Sequence, residues 1–161
     1  MCLLEPDDDG EYRLTRNLTD HQLPCYAILS HTWGSDDQEV NFEDITFGIG
    51  KDKTGYRKIQ FCGKQAACDN IKYFWVDSCC IRKSSAPSFR NPLIRWFTRG
   101  WSLQELLAPI SVEFFSRDGK RLGDQDSLKL MIQEITGITT EALQGIPLSK
   151  FGDTDRKKWA E

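Results

Sequence analysis

Two short, nearly unbroken apolar runs, Cys25–Ser30 (Cys-Tyr-Ala-Ile-Leu-Ser) and Tyr73–Val76 (Tyr-Phe-Trp-Val), constrain this chain more than any other feature. Runs of that length without polar alternation suit strands covered on both faces, as in a parallel sheet. Between them Tyr56, Ile59, Cys62, Gly63, Ala66 and Ala67 recur at helical spacing, while Arg57, Lys58, Gln60, Lys64 and Gln65 fill the opposite face. That pattern predicts a helix from Tyr56 to about Asn70. Strand, helix, strand is a βαβ unit, which implies a parallel pair with a right-handed crossover and an α/β fold.

Polar groups gather where each run ends. Ser30-His31-Thr32-Trp33-Gly34 follows the first and Asp77-Ser78-Cys79-Cys80 the second. Open α/β sheets bind ligands at the carboxyl ends of their strands, so Ser30, His31, Trp33 and Asp77 are candidate cleft residues. Plainer roles stand beside this one: His31 bonded to a loop carbonyl, Asp77 capping the turn after it, Trp33 and Trp75 packed as core.

A second informative stretch runs from Trp96 to Pro109. Leu103, Leu106 and Leu107 share one helical face, two tryptophans flank Gly100, and Pro109 marks the helix end. Glu105 lies at the edge of that face, one turn after Trp101, where a carboxylate loses solvent. It is either a solvated helix glutamate or a cleft carboxylate. Arg99 is either a phosphate ligand or the partner of a nearby acid.

The remaining segments are read more coarsely. Residues 1–24 form a polar lead-in with an edge strand near Tyr12, and 25–161 a single domain. Asp36 to Asp44 reads as a loop with an extended piece through Val40 and Phe42. Ser111–Phe115 reads as a third strand, followed by a turn-rich loop over Gly119–Gln125. A helix with the face Leu128, Met131, Ile132 and Ile135 then runs from a cap at Asp126 or Ser127 to a stop at Gly137. Shorter helices are expected at Thr140–Leu143 and from Asp153 onward.

With 161 residues the chain is long enough to bury a core without covalent staples. A net charge of −3 with both signs dispersed gives no basic face for nucleic acid. No run approaches the roughly 20 apolar residues that span a bilayer, and no signal-like segment follows Met1, so no membrane association and a cytoplasmic location are expected. The six cysteines sit in apolar strand-like or helix-like settings, which fits free thiols better than a disulfide framework. No ligand spacing for a metal occurs, and His21 and His31 stand alone.

Three blocks in order, Tyr26-Ala27-Ile28-Leu29-Ser30-His31-Thr32-Trp33-Gly34, Trp75-Val76-Asp77-Ser78-Cys79-Cys80-Ile81 and Arg99-Gly100-Trp101-Ser102-Leu103-Gln104-Glu105-Leu106-Leu107-Ala108-Pro109, resemble the fungal heterokaryon incompatibility (HET) domain family. Leu122-Gly123 and Thr136-Gly137-Ile138 look like its later segments. The resemblance implies a protein of fungal non-self recognition that triggers programmed cell death. It implies self-association or a partner incompatibility protein as the interacting species.

HET domains are in turn distantly similar to TIR domains, which have a flavodoxin-like sheet and in many members cleave NAD. The fold implied is therefore a TIR-like, mostly parallel sheet flanked by helices. Trp101 followed by Glu105-Leu106 matches a TIR hallmark, and by that resemblance Glu105 is the catalytic carboxylate. Ser30, His31, Trp33, Asp77, Arg99 and Trp101 then line the substrate cleft. NAD enters as a substrate and no cofactor is implied. Nicotinamide leaves as a neutral group, so a carboxylate that stabilises an oxocarbenium-like ribose or orients a water suffices.

The chain departs from the family between its second and third blocks. Only the 14 residues Arg82 to Arg95 lie between Ile81 and Trp96, where the family carries a helix and a strand. A helix of about 11 residues, a strand of about 5 and their loops do not fit there. The expected fold thus lacks one helix and one strand, and the family pattern also continues beyond Glu161. Three readings of function stand beside one another: an NAD glycohydrolase using Glu105, a non-catalytic interaction module or inactive remnant of the same family, and a thiol hydrolase built on Cys79 or Cys80 with His31 and Asp77.

Overall fold

The computed structural model describes residues 1–81 and 106–160. They fall into two compact units, Met1–Arg90 and Asn91–Glu161, each with its own core.

In the first unit the βαβ expectation holds. Strand β3 (Tyr26–Leu29) pairs in parallel with β4 (Tyr73–Val76), in the register Tyr26 with Tyr73 through Leu29 with Val76. Helix α2 (Tyr56–Cys68) connects them and buries Tyr56, Ile59, Cys62, Gly63 and Ala66 against the sheet, the face its periodicity marks. Asn70 stops the chain after it in a left-handed conformation, φ 58°.

The rest of that sheet differs from the expectation. The polar lead-in supplies the edge strand β2 (Tyr12–Leu14), and also β1 (Leu4–Pro6), which enters the sheet next to β4. The order is β2-β1-β4-β3, and both β1 pairings are antiparallel. The mostly parallel, TIR-like sheet is therefore replaced by a mixed one with a single parallel pair. Leu3 and Leu4, fully buried, explain why so polar a segment is held in place. Strand β3, expected to be covered on both faces, is an edge strand whose Ile28 is 41% exposed.

A helix also stands where a loop was expected. Helix α1 (Phe42–Phe47) starts at a reciprocal box in which Asn41 Oδ1 accepts from the Asp44 N–H and the Asp44 carboxylate from the Asn41 N–H, both at 2.9 Å. Gly48 closes it at φ 67°. Helix α3 (Asp77–Cys80) follows β4 without a loop. The core of this unit joins Leu4, Ile59, Phe74, Val76 and Cys79, with the Tyr12 ring set edge-on against Phe74 at 5.1 Å.

In the second unit the expected third strand forms but joins no parallel sheet. Strand β5 (Glu113–Phe115) pairs antiparallel with β6 (Arg121–Asp124), which lies in the stretch read as a loop. Helix α4 (Lys129–Thr136) ends at Gly137 as expected, φ 70°, and α5 (Thr140–Leu143) keeps its predicted bounds. Helix α6 (Asp153–Ala160) lays Trp159 into a core of Leu106, Ile132, Ile138, Ala142 and Leu143. The Trp159 indole donates to the Gly137 carbonyl at 2.9 Å. Only Ile132 of the face predicted for α4 is buried; Met131 and Ile135 are exposed. Among the described residues no helix is long and apolar enough to cross a membrane.

Candidate functional site

Ser30, His31 and Trp33 leave the carboxyl end of β3, and Asp77 leaves that of β4, its parallel neighbour. Parallel pairing alone brings these positions to one end of the sheet. Three of the four side chains meet there. The Trp33 indole N–H donates to both oxygens of Asp77, at 3.1 and 3.0 Å. The His31 imidazole lies between two carboxylates, Nε2 3.5 Å from Glu39 Oε2 and Nδ1 3.9 Å from Asp77 Oδ1. Ser30 is half-buried directly after β3.

Two residues that sequence reasoning missed complete the cluster. Glu39 accepts from the Gly34 N–H at 2.6 Å and from the Lys58 ammonium, while Lys58 also donates to the Thr32 carbonyl at 2.9 Å. Lys58 stands near the start of α2, so it ties the loop after β3 to that helix. Burial alone would raise the Glu39 carboxyl. The His31 contact, the Gly34 N–H and Lys58 outweigh it and hold the group at about 2. Neither residue carries a signal in the sequence: Lys58 belongs to a polar helix face and Glu39 to a loop.

The cluster is closed. The side chains of His31, Glu39 and Asp77 are 9%, 12% and 20% exposed. Asp77 is engaged by Trp33, and Glu39 by a backbone N–H and an ammonium. Such a network fixes the strand-end loops and offers little carboxylate surface to an incoming molecule.

The vicinal cysteines are part of the core of the first unit. Cys79 is fully buried and Cys80 6% exposed. The bond Cys79 shares with Cys80, together with burial, pushes the Cys79 thiol far above the usual range; Cys80, on the accepting side of that bond, is lowered. Burial and the neighbouring Cys80 raise Cys62 to about 12. It is the burial of Cys79 and Cys80 in the core, not the direction of the two thiols, that weighs against the thiol hydrolase reading. All six cysteines are free, and among the described residues no group of three His, Cys, Asp or Glu side chains could hold a metal ion.

Glu105, Arg99 and Trp101 lie outside the described residues. In the second unit a cavity of about 510 Å³ is lined by Leu107, Val112 and Leu143 together with Glu113, Arg121 and Asp124. Arg121 bonds Glu113 and Asp124, each at 2.9 Å, so its charge is already matched.

Residues 26–92 match the family model described as "Heterokaryon incompatibility protein (HET)". The stretch includes the first two sequence blocks and both parallel strands. The chain is also 43% identical to the vegetative incompatibility protein HET-E-1 of Podospora anserina, over 99% of its own length. It spans 15% of the length of that relative. The match runs over 198 positions against the 161 residues available here, so at least 37 positions of the relative face a gap. No solved structure matches the chain.

Proposed function

Because the chain belongs to the heterokaryon incompatibility (HET) family, we propose that it acts in fungal non-self recognition, as a cytoplasmic domain whose engagement leads to programmed cell death. The observation that carries this reading is the 43% identity to a vegetative incompatibility protein, sustained over nearly the whole chain. The test is inducible expression in a filamentous fungus, scored by vital staining of hyphal compartments, with protein level measured in parallel.

Two mechanisms are open to such a domain. In the first it cleaves NAD as TIR-like domains do. Glu105 stabilises the oxocarbenium-like ribose, and Ser30, His31, Trp33, Asp77, Arg99 and Trp101 hold the dinucleotide. In the second it is a non-catalytic module that recruits a partner incompatibility protein or another copy of itself. The closure of the His31–Glu39–Asp77 cluster favours the second, because a substrate-binding role asks these side chains to meet a ligand, and they are spent on one another. NAD consumption by the purified chain, beside Glu105→Ala, separates the two. Turnover lost in the variant supports hydrolysis. A cooperatively folded parent without turnover, at any concentration tested, supports recruitment.

A further inference from the structure

Residues 31–34 hang between the end of β3 and a short frame that is fixed by contacts of its own. In that frame the Gln38 carbonyl accepts from the Gly55 N–H at 2.9 Å, an approach so close that a Cβ at position 55 would lie 2.7 Å from the same oxygen. The Glu39 carbonyl accepts from the Lys53 ammonium at 3.3 Å, and Val40 is 1% exposed. Residues 31–34 are held differently. Thr32 and Gly34 are exposed, and among the described residues Trp33 takes no part in the apolar core of the first unit.

The grips on this segment are polar and come from three places. The Trp33 indole donates to Asp77 of α3, the Gly34 N–H to the Glu39 side chain of the frame, and the Thr32 carbonyl accepts from Lys58 of α2. Polar grips on an exposed segment release at less cost than apolar packing does. Lys58 controls two of them, because its ammonium reaches Thr32 in the segment and also pairs with the Glu39 carboxylate that receives Gly34. Glu39, held at about 2, keeps its charge across the neutral range, so this grip depends on the charge of the lysine and not on a change of pH. The closed segment shuts in the His31 imidazole and the Asp77 carboxylate at the carboxyl ends of the parallel pair, where open α/β sheets take their ligands. We propose that residues 31–34 form a lid, latched closed by Lys58, whose release uncovers His31 and Asp77 at the strand ends. Such a lid governs when these side chains are available under either mechanism, and it does not depend on the incompatibility role.

The test is the rate at which diethyl pyrocarbonate modifies each histidine of the full chain, followed by mass spectrometry. His21 is exposed and serves as the internal reference. In the parent His31 reacts about tenfold or more slowly than His21. Lys58→Gln brings His31 to within about threefold of His21, while hydrogen exchange at the amides of β3 and β4 stays as slow as in the parent. Lys58→Arg, which keeps the charge, stays close to the parent. A parent in which His31 reacts as fast as His21 overturns the proposal, as does a Lys58→Gln protein with His31 still slow or a Lys58→Arg protein opened to the same extent. Faster modification accompanied by loss of β3 and β4 protection overturns it too, since that is unfolding of the unit. If Lys58→Gln does not fold, Trp33→Phe, which cuts the grip on Asp77, is read by the same criteria. Neither NAD turnover nor hyphal death enters these rates, so failure of the lid and failure of the proposed function are separately visible.

Discussion

Trp33 and Asp77 are 44 residues apart in sequence, yet the indole N–H of one donates to both carboxylate oxygens of the other. Each residue follows one strand of the parallel pair, so the bond joins the two strand ends independently of the backbone ladder. Hydrogen bonds to a charged partner contribute roughly 1.5–3 kcal/mol. Trp33→Phe keeps most of the ring packing and removes the donor, and it is expected to destabilise the protein by about that amount. Asp77→Asn keeps an acceptor oxygen and is expected to cost less. Urea midpoints of the two variants check the order, and a Trp33→Phe protein as stable as the parent would remove this bond from the account.

Glu39 gives the protein an acid-sensitive element. Its carboxyl is held at about 2 in the folded chain, below the ordinary glutamate value of 4.5. A depressed folded value means that the unfolded chain binds the proton first. The stabilisation is therefore present above about pH 4.5 and is lost as the pH falls toward 2. Glu39→Gln should be less stable than the parent at neutral pH and should show a flatter stability profile between those limits. Thermal melts across that range, in which the two profiles ran parallel, would contradict the assignment.

Gly63 reverses a familiar rule. Replacing a mid-helix glycine by alanine usually stabilises, by up to about 1 kcal/mol. Here a Cβ at position 63 would lie 2.3 Å from the Tyr12 hydroxyl and 2.4 Å from its Cζ. The Tyr12 ring is braced edge-on against Phe74 and has little freedom to withdraw. Gly63→Ala is expected to destabilise by about 1–3 kcal/mol, as overpacking does. Adding Tyr12→Ala should make the alanine at 63 less costly, and a double-mutant cycle without coupling would show that the two positions are independent.

Two neighbouring positions on α4 separate core from surface. Ile132→Ala removes a side chain that is 6% exposed and should cost about 2–4 kcal/mol. Ile135→Gln, at a side chain 57% exposed, should stay within about 0.5 kcal/mol. Equal losses in denaturant unfolding would mean that Ile135 is also part of the core.

The particular residues that were legible in the sequence share a cause. The pair β3 and β4, the helix α2 between them and the helix stop at Gly137 are written in periodicity and in a glycine with a left-handed backbone, and both are local signals. Strand β1 is three residues long and is held by Leu3 and Leu4 against partners some 70 positions away, as in the pairing of Leu4 with Phe74, so no local pattern announces it. Strand β6 looked like a loop because Gly123 and two charged residues occupy three of its four positions. Helix α1 had a legible signal in Asn41 and Asp44, three apart, outweighed by the alternation of Val40 and Phe42. At the strand ends the meeting of His31, Trp33 and Asp77 followed from parallel pairing alone. The parts played by Glu39 and Lys58 did not, since they depend on how the loop after β3 folds back on α2. The apolar face of α4 was misread as core for a related reason: periodicity marks an apolar side but not what covers it.

The most direct test of the whole account is the viability of hyphae after inducible expression of this chain in a filamentous fungus, against an equal level of an Ile59→Asp variant that cannot fold its core. Ile59 is 1% exposed, so the buried carboxylate should unfold the first unit. The account predicts death of the compartments that express the folded chain and survival of those that express the variant. Healthy hyphae containing folded chain at comparable levels, also when fused with incompatible partners, would contradict it.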